Sequence, residues 1–161
     1  MSVLLDTSVG EIVIDLFDKE CPIATNNFLK LCKFKYYNNC LIFNIQPNLI
    51  AQTGDPTGTG SGGNSVFGLI NKIPSKTFKD EIAPPPMTRK FNKVGLVAMA
   101  NTGENTNKSQ FFITLRGNDI SHFDGKYTIF GEVAEGFEAL EKLNNLYIDG
   151  DGRPYQDVRI R

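Results

Sequence analysis

The stretch Met99-Ala100-Asn101-Thr102-Gly103-Glu104-Asn105-Thr106-Asn107-Lys108-Ser109-Gln110-Phe111-Phe112-Ile113 begins and ends in strand-forming residues around a polar middle. Its ends extend to two short runs rich in Phe, Ile and Val, Val94–Ala100 and Ser109–Leu115. Phe111 and Phe112 are adjacent, so on a strand they face opposite sides. One of them belongs to a core, and the other lines a pocket or the second face of a two-sided core. A third run, Tyr127–Val133, follows the tight-turn pair Asp124-Gly125. Upstream, Val3–Leu5, the turn Thr7-Ser8-Val9-Gly10 and Glu11–Phe17 read as a hairpin. Cys40–Ile45, Leu49–Gln52 and Pro154–Arg161 are strand-like. Pro22 opens a helix whose apolar face is Ala24, Phe28, Leu31 and Cys32. Gly136–Leu146 reads as a second helix with Phe137, Leu140 and Leu143 on one stripe. Val66–Ile82 is mixed, and Ala83-Pro84-Pro85-Pro86 is loop, since consecutive prolines cannot donate to a ladder. Many short strands with two helices predict a mainly β fold, a closed antiparallel barrel capped at its ends by helices.

The composition narrows the function. The 161 residues hold 17 Lys and Arg against 18 Asp and Glu, a net charge of -1. That balance argues against direct nucleic-acid binding by this domain, which needs a clustered basic face, and against a polybasic membrane anchor. No apolar run approaches the ~20 residues of a membrane-spanning helix, and Met1–Asp6 lacks the pattern of a secretory signal. Cys21, Cys32 and Cys40 form no C-x-x-C pair, so neither a disulfide framework nor a metal site is expected, and a reducing intracellular compartment fits. The single histidine, His122, has no visible base or metal partner.

Three short motifs have plain readings. Gly58-x-Gly60-x-x-Gly63 matches a dinucleotide fingerprint as a string, but Asn64–Gly68 is a poor helix start, so a surface loop is expected. Asp149-x-Asp151-Gly152 begins like a calcium loop, yet Arg153 and Pro154 stand where a ligand and a glycine are needed. Asn107-Lys108-Ser109 is a glycosylation sequon without a secretory context. What remains is a rigid β scaffold with an apolar patch and several Asn and Gln side chains, a surface suited to peptides.

Three segments resemble the cyclophilin family. Gln52-Thr53-Gly54-Asp55 with Gly58-Thr59-Gly60-Ser61-Gly62-Gly63 is similar to its QxGD…GTGxGG segment, and Met99–Ile113 to its MANxGxNTNxSQFFI segment. Asp124-Gly125-Lys126 through Phe130-Gly131-Glu132-Val133 is similar to its DGKHxVFGxV segment. The resemblance implies one cyclophilin-like domain over 1–161, an eight-stranded closed barrel with two helices, and peptidyl-prolyl cis–trans isomerisation without a cofactor. The amide barrier to be lowered is ~18–20 kcal/mol. A catalyst of this kind forms no covalent bond; it binds the twisted amide better than either planar form.

Carried over residue by residue, the resemblance implies that Gln52 holds the substrate carbonyl. Ala100, Asn101 and Thr102 form the edge that pairs with the residue before proline. Gln110 is a second polar wall, and Phe112 is the floor of the proline pocket. Leu49, Ile50, Phe123 and Tyr127 replace the family's usual Phe, Met, Leu and His around that pocket. His122 replaces a tryptophan that contacts cyclosporin, so weak cyclosporin binding is expected. Asn44 falls on the family's arginine, the donor to the prolyl nitrogen. Asparagine is shorter and uncharged, and charge-assisted bonds are roughly twice as strong as neutral ones. Reduced isomerase activity is therefore expected; the alternative is a proline-peptide binding module with little catalysis. Tyr36–Ile42 and Pro154–Ile160 resemble a divergent nuclear subgroup that carries an RNA-recognition domain. That likeness implies nuclear more than cytoplasmic placement, RNA-processing partners, and a longer protein of which this domain is the N-terminal part. The family likeness and modest charge imply a monomer.

Overall fold

The computed structural model describes residues 1–161. Seven strands form one antiparallel sheet: β1 Ser2–Thr7, β2 Gly10–Leu16, β3 Asn44–Gln46, β4 Ile50–Thr53, β5 Leu96–Met99, β6 Phe111–Thr114 and β7 Ile129–Glu135. Their order is β1-β2-β7-β5-β6-β4-β3. The sequence resemblance implies eight strands. The eighth is the segment Val158–Arg161, which makes isolated bridges at Thr7–Ile160 and Leu41–Arg159 in place of a ladder. Ser8 N–H donates to Arg159 C=O at 3.0 Å, and Ile42 N–H donates to Val158 C=O at 2.8 Å. This segment therefore joins the β1 end of the sheet to the chain entering β3, which closes the curl.

The first hairpin turns tightly because Thr7 pairs directly with Gly10. Thr7 Oγ1 donates to Gly10 C=O and accepts from Val9 N–H, so one hydroxyl holds the turn. Helix α1, Pro22–Lys33, starts as expected, but Cys21 gives it no side-chain cap. The cap comes from far along the chain. Glu81 Oε2 and Oε1 accept from Ile23 N–H at 3.0 Å and Ala24 N–H at 2.7 Å. A carboxylate there satisfies two orphan donors and opposes the helix dipole. Within the mixed stretch 66–82, a short helix α2 forms at Val66–Asn71, capped by Ser65 Oγ accepting from Gly68 N–H. Helix α3, Phe137–Asn144, buries Ala139, Leu140 and Leu143. Phe137 is half exposed and so is not part of the expected stripe.

The sheet register sorts the side chains into two faces. The inner row runs Ile45, Ala51, Ile113, Val97 and Gly131. With Phe28, Tyr37, Phe111 and Phe130 it fills the barrel interior. Phe28 meets Phe111 edge-on at 5.2 Å and Phe130 at 5.1 Å. The outer row runs Asn44, Gln52, Phe112, Ala98 and Ile129. It carries a second, smaller cluster of Ile50, Phe91, Leu96, Ala98, Phe112, Ile120 and Ile129. Phe111 is thus the core residue of the adjacent pair, and Phe112 belongs to the outer face. No helix is long and apolar enough to cross a membrane.

Candidate active site

The outer row sets the site because directly opposed residues on neighbouring strands share a face. At its polar end, three amides form a chain. Asn44 Nδ2 donates to Gln52 Oε1 at 3.1 Å, and Gln52 Nε2 donates to Gln110 Oε1 at 2.9 Å. Gln110 Nε2 then donates to Gly60 C=O at 3.0 Å and Gly62 C=O at 2.8 Å. Each amide has one direction of donation, so Gln52 presents its NH₂ end, with one N–H still available.

At the apolar end, four rings pack around one another. Phe91 stacks on Phe112 at 6.0 Å, Tyr127 meets Phe112 edge-on at 5.2 Å, and Phe123 lies 5.5 Å from Tyr127 and 5.6 Å from Phe91. Between the amides and the rings is a cavity of about 90 Å³. Ile50, Gln52, Ala100, Asn101, Phe112, Phe123 and Tyr127 line it. Neither the N–H nor the C=O of the Asn101 main chain meets a partner within the protein. Its side chain is committed instead, donating to Lys126 C=O at 3.0 Å and accepting from Gly103 N–H at 3.2 Å. The edge at Asn101 is thus open to an extended chain, as in strand addition.

A second cavity of about 270 Å³ adjoins the first and shares Gln52, Ala100 and Asn101 with it. Its other walls are polar or glycine, among them Gly60, Gly62, Thr102, Thr106, Lys108 and Gln110. The glycine loop that borders it is held from within. Asp55 is wholly buried, and its carboxylate accepts from the N–H groups of Thr57 at 2.9 Å, Gly60 at 2.7 Å and Gly62 at 3.0 Å. Burial alone would raise the Asp55 pKa; the bonds from Gly62, Thr57 and Gly60 outweigh it and hold the group below its ordinary value. The amides that a phosphate would need are therefore occupied by the protein's own carboxylate, which disposes of the dinucleotide string. From outside, Arg153 Nη2 donates to Gly58 C=O at 2.5 Å.

The expected site residues are not all in the pocket. Gln52, Ile50, Ala100, Asn101, Phe112, Phe123 and Tyr127 come together at the small cavity, and Thr102 and Gln110 line the polar one. Leu49 packs against the outer cluster without lining either cavity. His122 is exposed on a single 3₁₀ turn, Ser121–Phe123, with its ring 4.5 Å from that of Phe123. Asn44 lines neither cavity; it stands behind Gln52, and a Cβ added to Gly152 would come within 2.8 Å of its Oδ1. Tyr127 precedes the strand on which it was expected, because β7 begins at Ile129. The Lys108 and Gly60–Gly62 walls were not foreseen. Lys108 sits inside the quoted 99–113 stretch, but nothing in its spacing marks it as facing a cavity.

A third cavity, about 610 Å³, lies on the far side of Tyr127, against residues 81–92 and the start of α1. Three of its ionic groups are spent within the protein, and Lys90 joins no ion pair. Arg89 pairs with Glu20 at 2.5 Å and lies 3.9 Å over the Phe17 ring, while Glu81 caps α1. Burial, followed by the nearby Glu81 and Glu20 carboxylates, pushes the Cys21 thiol there up to about 12. Burial likewise lifts Cys32 to about 12 and Cys40 to about 11, so all three stay protonated and unreactive near neutral pH. Asn107 of the sequon is fully buried, held to Phe78 C=O and Asp80. The Asp149 turn is closed by its own carboxylate, which accepts from Asp151 N–H and Arg153 N–H.

An antiparallel curled sheet with a small, mostly apolar cavity, an amide row and an open strand edge makes a surface that can take an extended peptide. The model of the cyclophilin type peptidyl-prolyl cis-trans isomerase family matches residues 2–161. The chain belongs to that family. It is 51% identical over 161 residues to the Arabidopsis thaliana peptidyl-prolyl cis-trans isomerase CYP59, covering 100% of this chain and 31% of that protein. It is 49% identical over 160 residues to the human peptidyl-prolyl cis-trans isomerase-like 4, covering 99% of this chain and 32% of that one. The chain thus spans about a third of the length of these relatives. Among solved structures, a Cryptosporidium parvum cyclophilin type peptidyl-prolyl cis-trans isomerase, crystallised in the presence of the dipeptide Ala-Pro, superposes with a TM-score of 0.89 at 36% identity. That match covers 99% of this chain and 95% of the other.

Proposed function

We propose that this domain isomerises X-Pro bonds at the cavity between Gln52 and Phe112, with a rate held down by the absence of a cation. Proline enters against Phe112, Phe123, Tyr127 and Ile50, and the preceding residue pairs with the open Asn101 edge. The remaining Gln52 N–H meets the substrate amide. The observation that carries the reduced rate is the Asn44–Gln52 bond of 3.1 Å. It commits a donor of Asn44 to the protein, and no Lys or Arg lines the proline cavity. Asn44 acts here as a positioning residue that fixes which end of the Gln52 amide faces the pocket. Losing a positioned transition-state donor costs on the order of 10²–10³ in rate in acyl-transfer enzymes.

Exchange NMR on an Ala-Pro peptide, with wild type beside Asn44→Arg, tests this. Binding should be similar in both, and Asn44→Arg should raise the exchange rate at least tenfold, up to the ~10²–10³ scale of a restored donor. Strong exchange by the wild type, unchanged by Asn44→Arg, would show that pocket shape and edge pairing suffice without charge. Binding without exchange in either protein would leave a binding module. The substrates of the whole protein follow the same chemistry, proline-containing segments of proteins. RNA-processing partners, nuclear placement, weak cyclosporin binding and a monomeric state are proposed on the family resemblance, and a longer protein with this as its N-terminal domain is supported by relatives about three times as long as this chain.

A further inference from the structure

The polar cavity beside the proline pocket has a charge of one sign only. Of its ten lining residues, Lys108 is the single charged one, and no carboxylate faces it. Lys108 joins none of the four ion pairs in the molecule. Its Nζ donates to the neutral Ser75 Oγ at 2.9 Å. Its main chain is fixed, since Lys108 C=O accepts from Asn27 Nδ2 of α1 at 2.9 Å. Lys108 thus lines the cavity while its ammonium rests on a neutral hydroxyl just outside the lining, with two donors left over.

The geometry of an extended peptide says which substrate residue meets it. Side chains alternate along an extended chain, at ~3.3 Å per residue. With proline in the apolar pocket, the residue before it points away, and the residue two before proline returns to the same side about 7 Å along. The two cavities are adjacent, sharing Gln52, Ala100 and Asn101, and the open Asn101 edge runs between them toward Thr102. We infer that Lys108 makes this domain prefer proline peptides with an anionic side chain, carboxylate or phosphate, two residues before the proline. This rests on the proline-pocket reading above and adds a substrate class to it. The hydroxyls of Thr102 and Thr106 and the walls of glycine leave room for an acceptor without supplying a competing negative charge.

The test is a set of X-Pro peptides that differ only at that position: Ala, Glu, phosphoserine and Lys. Binding is followed by NMR shift changes in the intact domain at low and high salt. The Glu peptide should bind about two- to fivefold tighter than the Ala peptide, the range of a partly exposed ion pair. The Lys peptide should bind more weakly than Ala. The preference should shrink toward one at 1 M salt, where the Debye length falls to ~3 Å. In Lys108→Gln the Glu-to-Ala ratio should collapse to one, and in Lys108→Glu it should invert in favour of the Lys peptide. A gain from both Glu and phosphoserine marks a reader of charge; a gain from phosphoserine alone marks phosphate as the ligand. Equal binding of Ala, Glu and phosphoserine peptides, or a preference that survives Lys108→Gln, overturns the inference while the pocket reading stands. No binding of the Ala peptide overturns the pocket reading, and the inference with it.

Discussion

The two faces of β6 carry different kinds of order. On the inner face, Phe111 is wholly buried against the rings of Phe28, Tyr37 and Phe130. On the outer face, Phe112 is nearly as buried, but its row continues into Gln52 and Asn44. The inner face is specified by volume. The outer face is specified by volume at one end and by the direction of three neutral amides at the other. In the proposed function, binding geometry and catalytic charge are therefore separable: the rings shape the cavity whether or not a strong donor stands beside them.

The largest effect should separate the faces directly. Phe111→Ala should cost about 3–5 kcal/mol, as for a large aromatic removed from a closed core. Phe112→Ala should cost less, because its cavity opens onto the groove, yet it should abolish binding of an Ala-Pro peptide. Urea melts with peptide titrations check both, and equal destabilisation by the two would erase the distinction drawn between the faces.

The amide row gives the next test. Asn44→Ala removes one neutral hydrogen bond, worth about 1 kcal/mol, and should lower the exchange rate roughly fivefold with little change in peptide affinity. Asn44→Asp should be worse, since an ionised carboxylate cannot donate to Gln52 Oε1 and forces that amide to turn round. If Asp and Ala behave alike, the direction of the Gln52 amide does not matter.

Acid should act on the polar end first. The folded-state pKa of Asp55 lies below the ordinary 3.8, so its contribution is fully present above that value and is lost as pH falls through the lowered one. Protection of the Gly60 and Gly62 amides, relative to an unfolded chain at the same pH, should fall once pH drops below 3.8, before the β6 amides respond, and Asp55→Asn should show the same loosening at neutral pH. The smallest effect is a negative one. With thiols at about 11 to 12, alkylation of Cys21, Cys32 and Cys40 at pH 8 should be slow in the native protein and fast in urea.

Much of this was legible in the sequence where residues act through their neighbours. The hairpin at Thr7–Gly10, the Pro22 helix and the opposite faces of Phe111 and Phe112 all follow from local turn chemistry and alternation. The grouping of Gln52, Asn101 and Phe112 at one cavity came through the resemblance of three segments. What stayed hidden depends on long separations. Glu81 caps a helix 57 residues away, Gln110 reaches a loop 50 residues back, and Arg153 holds Gly58 across 95 residues. Asn44 was placed on the right strand position, but only the register with Gln52 shows that its donor turns to the protein. Lys108 carried no pattern at all; its cavity exists only when 60–62 and 100–110 are brought together.

The seam between Val158–Arg161 and the chain at 6–8 and 39–42 spans as much as 155 residues, from Asp6 to Arg161. Proteins are made from the N-terminus at ≈ 5–20 residues per second. On the ribosome, the hairpin, α1 and the three central strands can assemble in turn, while the barrel stays open along β1 and the strand entering β3 until residue 160 has emerged. For that interval the apolar groups Leu5 and Ile42 next to the seam wait for Val158 and Ile160, with which they share one core, to cover them.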